Sequence, residues 1–256
     1  MSLFHYTDVN GIMGILKTQE LWLTDIRYLN DSAEYLHGIE IFNKLLESEF
    51  EKNTIGKDTK SLILSAIEAL NNSICVCSFS KKKDLLSQWR GYGKYAIEFD
   101  EKVISEIDPI FFRLSDCIYK KEDQHDKVME LINPILKSNT PKGVFISNAL
   151  KHFTLIASLK NEGFGEEDES RIIGFADDEE NNYCFRERNG IIIPYLKMKF
   201  PVRAIKRIWI GPMENQALAY KSMEMYIKSL KEDKENDFSR IYPLLGVGRS
   251  IISFRG

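Results

Sequence analysis

His5, Tyr6 and Thr7 stand together near the start of the chain, in the run LFHYT. On a strand, successive side chains alternate between faces, so His5 and Thr7 share one face and Tyr6 takes the other. An imidazole and a hydroxyl both donate and accept hydrogen bonds, and side by side they can grip a sugar diol. A half-buried strand with a hydrogen-bonded histidine would carry the same letters. Trp22, Tyr28 and Tyr35 follow. Flat rings suit a slot that stacks an aromatic base or a nicotinamide ring. Trp22, among leucines, and Tyr35, on a helical apolar stripe, would also fit a core, whereas Tyr28 sits in a polar turn.

Glu167-Asp168-Glu169 bring a different chemistry. If the stretch is extended, as the strand pattern after it suggests, Glu167 and Glu169 share a face. One carboxylate could then stabilise positive charge developing on a sugar, and the other could orient or deprotonate an attacking group. The plain alternative is a solvated acidic loop. Arg90, in the run Gln88-Trp89-Arg90 with Tyr92 close behind, could hold a phosphate through its fork. It could equally stack on Trp89 or Tyr92 at the surface. Lys197, Lys199, Arg203, Lys206 and Arg207 form a late basic cluster that would track phosphates if it lay on adjacent strands. Asn30, Asp31 and Glu34 could bind a cation, but helix capping accounts for them more simply.

These groups need elements to position them. Leu3 to Tyr6 reads as a short strand, and Asp8 caps a helix with Val9, Ile12, Met13 and Leu16 on one face. Leu21 to Thr24 is a second strand. Asn30-Asp31-Ser32 forms a turn and cap before a helix whose stripe is Tyr35, Ile39, Phe42 and Leu46, and Asp58 opens another helix. Ile74 to Phe79 and Tyr95 to Phe99 are β-like, joined by the polar, aromatic connection DLLSQWRGYG. A strand is expected over Phe111 to Tyr119, helices over about Glu122 to Lys137 and Val144 to Leu159, and strands over Ile191 to Phe200 and Ala204 to Ile210. Glu214 to Lys231 is an amphipathic helix, and Ser250 to Phe254 has the pattern of a last strand. Strand and helix do not alternate regularly, so the fold class is α+β rather than a doubly wound parallel sheet. No glycine-rich dinucleotide fingerprint or phosphate loop is present.

Bulk properties narrow the function classes. The 256-residue chain has a formal net charge of -3, which excludes a generic polyanion binder. No apolar run reaches the length of a membrane span, and no signal-peptide pattern opens the chain, so no membrane association is expected. Cys75, Cys77, Cys117 and Cys184 form no CxxC pair, and with the four histidines they give no zinc-ligand spacing; no metal is expected. A reducing, cytoplasmic setting follows.

Several pieces taken together resemble a known family: LFHYT, GILKTQELWLTDIRYLNDSAEY, CSFS, LLSQWRGYG, YAIEFD, GFGEEDESR and IWIGP, with NDSAEY and LSQWRGYG the most specific. They are similar to a bacterial domain family formerly of unknown function and related to DarT-like ADP-ribosyltransferases. Some relatives of that kind act as toxins on DNA, and one works on RNA in a phage-defence toxin–antitoxin–chaperone system. The resemblance implies a single ADP-ribosyltransferase-like domain over residues 1–256, with a split β-sheet core and inserted helices. It implies NAD as co-substrate and a nucleic-acid acceptor, RNA favoured over DNA, with an antitoxin or chaperone partner. His5, with Tyr6 and Thr7, would bind the ribose beside nicotinamide. Trp22, Tyr28 and Tyr35 would supply the ring that packs on nicotinamide, Tyr28 preferred. Glu169 would be catalytic, Glu167 would assist the acceptor, and Arg90 would join the NAD contacts. A non-catalytic nucleotide- or partner-binding module and an NAD glycohydrolase are the alternatives on the same fold.

Overall fold

The structure, a computed structural model, describes residues 1–29, 32–52, 60–61, 63–65, 74–109, 111–176, 182–232 and 245–253. Its strands are β1 (Ser2–Thr7), β2 (Glu20–Asp25), β3 (Ile74–Ser80), β4 (Tyr95–Asp100), β5 (Phe112–Asp116), β6 (Glu169–Phe175), β7 (Cys184–Arg188), β8 (Ile191–Lys199), β9 (Ile205–Ile210) and β10 (Gly246–Arg249). They join one mixed sheet, in which β10 runs parallel to β9 and the other pairs are antiparallel. The helices are α1 (Val9–Thr18), α2 (Ser32–Lys52), α3 (Leu86–Gly91), α4 (Glu101–Ser105), α5 (Lys121–Leu136), α6 (Pro141–Ser147), α7 (Ala149–Ser158) and α8 (Gln216–Glu232). The class is mixed α+β, as the sequence pattern implies.

The sheet forks at β3. One edge of β3 is filled by β6, from Ile74 opposite Phe175 to Ser80 opposite Glu169. The other edge is shared: β1 meets it at Phe4 opposite Ser80, and β2 meets it at Thr24 opposite Val76 and Asp25 opposite Cys75. Between those two contacts β1 leaves to pair with β4, and β2 leaves to pair with β8. A wedge therefore opens beside Cys77 to Phe79. Gly93 closes the outer end of β1. Its φ of +131° favours glycine, and a Cβ there would lie 2.3 Å from the Thr7 carbonyl oxygen.

Alternation along β3 and β6 builds the two faces. Cys75, Cys77, Phe79 and Ile172 join one core with Ile12 and Leu16 of α1 and Ile227 of α8. Ile74, Val76 and Ile173 join the other, with Phe42 of α2, Val128 and Ile132 of α5, and Phe153 and Ile156 of α7. Period-2 strands between two amphipathic helical layers require both faces to be apolar.

Several expected elements differ. DLLSQWRGYG contains helix α3 rather than an open connection; Trp89 is buried there, packs edge-on against Tyr6 at 4.6 Å and donates from Nε1 to Asp84 Oδ1 at 2.8 Å. The expected helix over Val144 to Leu159 is two, parted at Asn148, whose φ of -110° and ψ of 11° leave the helical region. The strand expected over Phe111 to Tyr119 is the shorter β5. The last strand ends at Arg249 instead of starting at Ser250, since Gly246 to Arg249 pair with β9. Strand β7 has no counterpart in the sequence reading, because a charged edge strand, CFRER, lacks an apolar run. The Asn30-Asp31 turn and most of the helix expected from Asp58 lie outside the described residues. The basic cluster is not one surface: Lys197 and Lys199 are on β8, Lys206 and Arg207 on β9, and β2, β3, β1 and β4 stand between those strands.

Candidate active site

The wedge is lined as a cleft of about 690 Å³ by residues from β1, β2, β3, β6, β7, α1 and α3. A smaller cavity, about 200 Å³, lies between Phe112, Phe175, Leu196 and Lys197 and holds none of the residues expected to bind NAD or act on it. His5 is on the cleft wall, half-buried. Its Nδ1 is 3.0 Å from the Ser78 carbonyl. A carbonyl only accepts, so Nδ1 carries the hydrogen and Nε2 keeps its lone pair. Burial lowers the imidazole pKa, outweighing the Ser78 hydrogen bond, and the charge of Arg186 lowers it further; the ring is neutral. Thr7 lines the same cleft, and its Oγ1 is so close to Gly11 that a Cβ there would meet it at 2.0 Å. Tyr6 is buried and holds the loop before α3, donating to the Lys82 carbonyl at 2.8 Å and accepting the Leu85 N–H at 3.2 Å.

Glu169 opens β6 on the far edge of β3. Its N–H donates to the Tyr119 hydroxyl at 2.8 Å. Its Oε1 accepts Arg171 Nε at 2.6 Å, and its Oε2 accepts Arg171 Nη2 at 3.3 Å and the Lys160 ammonium. Lys160 also donates to Glu167 Oε2 at 2.5 Å. Burial alone would raise the Glu169 carboxyl, but Arg171 first and Lys160 next hold it at about 2. The two cations are the more deeply buried members, 1% and 2% exposed against 6% and 14% for Glu169 and Glu167, so the cluster turns its anionic side outward. Four lone-pair positions on a carboxylate, three of them used, leave one on Oε1 for a hydroxyl donor.

The carboxylates are not paired in the way an extended stretch would pair them. Glu167 ends a 3-10 turn (Glu162–Glu167), and Asp168 is left-handed at φ 46° and ψ 56° before the strand begins. An aspartate tolerates that conformation. Glu167 and Glu169 converge through Lys160, a residue the sequence reading did not single out. Cys77, 3.7 Å from His5 Nδ1, is no nucleophile: burial pushes its thiol up to about 12.

The cleft takes in some of the aromatic and arginine candidates and leaves others outside its lining. Trp22 lines the cleft, its ring 4.5 Å from that of Tyr195. Tyr28 is 37% exposed on a 3-10 turn (Ile26–Tyr28) that points it outside the cleft lining, with Arg27 6.0 Å above its ring. Tyr35 lies on α2, and its side chain is outside the described residues. Arg90 is exposed on α3, and the cleft is lined instead by its neighbours Gln88 and Gly91 and by Tyr92. The cleft's arginines are Arg171, Arg186 and Arg188. A sign of Arg171 was present in the sequence: it follows Glu169 by two residues, on the same strand face. Among the described residues no cluster of His, Cys, Asp or Glu could hold a metal ion, and no helix is long and apolar enough to cross a membrane.

Residues 88–172 match the model of a family described as a protein of unknown function, DUF2971. That stretch carries Gln88, Lys160, Glu167, Glu169 and Arg171, while His5, Trp22 and Arg186 lie outside it. No curated protein and no solved structure matches the chain.

Proposed function

We propose that this protein is an NAD-dependent ADP-ribosyltransferase that breaks the bond between ribose and nicotinamide in the forked cleft. The observation that carries the reading is the convergence of His5 and a buried Glu169, held as its carboxylate by Arg171 and Lys160, on that cleft from the two strands flanking β3. Breaking the glycosidic bond puts positive charge on the sugar, as in glycoside hydrolysis. A carboxylate held anionic at that point stabilises charge only as it develops. With its proton affinity so low, Glu169 acts as an electrostatic stabiliser and hydroxyl acceptor, not as a general base. His5 Nε2 and Thr7 grip the ribose, Trp22 takes the role first given to Tyr28, and Glu167, the more exposed carboxylate, serves the acceptor.

The acceptor is a nucleic acid, RNA favoured over DNA. That choice, like a toxin or phage-defence role with an antitoxin or chaperone and a cytoplasmic setting, rests on the likeness of the sequence to DarT-type enzymes and to the toxin CmdT. The separation of the basic cluster across the sheet removes the residue-based reason to prefer a large acceptor over water, and it favours an NAD glycohydrolase as the second reading.

Incubation with labelled NAD and separate pools of protein, DNA and RNA tests both. Label on RNA that disappears in a folded Glu169→Gln variant supports transfer. Free ADP-ribose with no labelled acceptor selects the hydrolase. No NAD consumption with any acceptor removes both.

A further inference from the structure

Arg186 is a cation of the cleft that the reaction above leaves unused. It stands on β7, and its Nη2 donates to Thr24 Oγ1 at 2.7 Å. Its guanidinium carbon is 5.5 Å from the Trp22 ring centre and 5.6 Å from that of Tyr195. Its Nε is buried with no hydrogen-bond partner among the described residues. Lys160 and Arg171 are matched by Glu167 and Glu169, but Arg186 has no ion pair among the described residues. The carboxylates on its own wall are engaged elsewhere: Glu20 pairs with Lys197 at 3.5 Å, and Glu187 Oε1 accepts the Gly190 N–H at 2.6 Å.

An unsatisfied buried donor on a charged group costs stability. Two rings and one hydroxyl fix this guanidinium in place without neutralising it. That is the arrangement of a fork waiting for an anion, and phosphate matches its planar set of donors. Glu169 stands on β6 at one edge of β3 and Arg186 on β7, beyond β2 and β8 at the other edge, and both line the cleft. A ligand spanning the floor would place an anionic portion against Arg186 and a portion that becomes cationic against Glu169.

We infer that Arg186 is the anion-binding residue of the cleft and takes a phosphate oxygen of a nucleoside diphosphate group through Nε and its remaining Nη protons, with Thr24 as its anchor. This rests on the cleft holding NAD. Calorimetric titration with ADP, adenosine and a short RNA oligonucleotide, all without NAD, tests it. Wild type should bind ADP at least tenfold more tightly than adenosine. Arg186→Gln should lose tenfold or more of the ADP affinity with adenosine unchanged, and Arg186→Lys should recover part of the loss. Equal ADP affinity in wild type and Arg186→Gln overturns the assignment. So does a loss of oligonucleotide binding alone, which would give the cation to the acceptor. If Arg186→Gln fails to fold, Thr24→Val keeps the cation and removes its anchor; a several-fold loss of ADP affinity supports the subsite and unchanged affinity overturns it. Arg186-dependent ADP binding in a protein that consumes no NAD would keep the subsite and remove the proposed reaction. NAD cleavage with an unchanged KM in Arg186→Gln would do the reverse.

Discussion

Glu169 and His152 are both buried titratable side chains, and the fold treats them in opposite ways. Glu169, at the start of β6, is held charged by Arg171 and Lys160. His152, in α7 beneath the sheet, is held neutral. Its ring stacks on Phe145 at 4.7 Å and meets Phe42 edge-on at 5.9 Å, and neither nitrogen has a partner. Burial drives its pKa down to about 4. A buried ion pair is seldom the most stable filling for its space, since apolar residues of the same volume often do as well. An aromatic ring among aromatic rings is ordinary packing. The difference separates a site from a core more sharply than burial does: the ionised group is the one with dedicated partners and an open side toward a cleft.

The largest effect that could break this contrast is at Glu169 itself. Glu169→Gln should slow NAD cleavage by roughly 10²–10³-fold, the scale on which one preorganised electrostatic group acts. Cleavage within a few-fold of wild type in a folded variant would make the cluster a structural ion pair and nothing more. Lys160→Met comes next. It removes the ammonium shared by two carboxylates and leaves them facing each other, which should destabilise the protein by about 3 kcal/mol. For a chain of this size that is a fall of about 10 °C in the thermal midpoint. The carboxyl of Glu169 would rise from about 2 toward its ordinary range. The stability it contributes, present above pH 4.5 and lost as pH falls toward 2, would then be smaller. An unchanged midpoint would count against Lys160 as the joint of the cluster.

His5 and Glu169 were legible in the sequence because each sits at a strand end that its own pattern of letters reveals. Lys160 and Arg186 were not, for a physical reason. Lys160 follows α7 in a run, SLKNEG, that reads as a helix end, and only the bridge of Ile118 with Leu159 brings it under Glu169. Arg186 belongs to an edge strand without an apolar signature, and its place depends on β8 returning beside β2. Local periodicity predicts what an element does to its own residues; it is silent on which distant residue will face them across a fork. Tyr28 and Arg90 lie outside the cleft lining on the same ground. Their types and turns are suitable, but the 3-10 turn and helix α3 that carry them leave them on the outside.

A smaller effect tests the core side of the contrast. The unfolded chain binds a proton at His152 near pH 6.5, the folded one only near 4. Stability from this residue is therefore complete above about pH 6.5 and declines as pH falls toward 4. The expected loss between pH 8 and pH 5 is about 2 kcal/mol. His152→Phe, which fits the aromatic surroundings, should flatten that limb in urea unfolding at the two pH values while leaving NAD cleavage unchanged. An undiminished acid limb would mean that other groups carry it.

The smallest expected effects fall on residues with the right chemistry in the wrong place, and they sharpen the same contrast. Trp22 lines the cleft with its ring braced by Tyr195, whereas Tyr28 and Arg90 stand on its outside. Trp22→Ala removes a flat surface against which a leaving ring or a base would pack, a stacking contact worth on the order of 1 kcal/mol beyond its buried area. The KM for NAD should rise roughly tenfold, since a lost face of that size costs binding more than chemistry. Tyr28→Ala and Arg90→Ala should stay within about twofold of wild type in both kcat and KM, as exposed positions away from special contacts usually do. Steady-state rates for the three variants decide the matter together. A tenfold rise in KM for Tyr28→Ala with none for Trp22→Ala would move the nicotinamide face to the outer turn, and with it the whole cleft from the place where His5 and Glu169 converge.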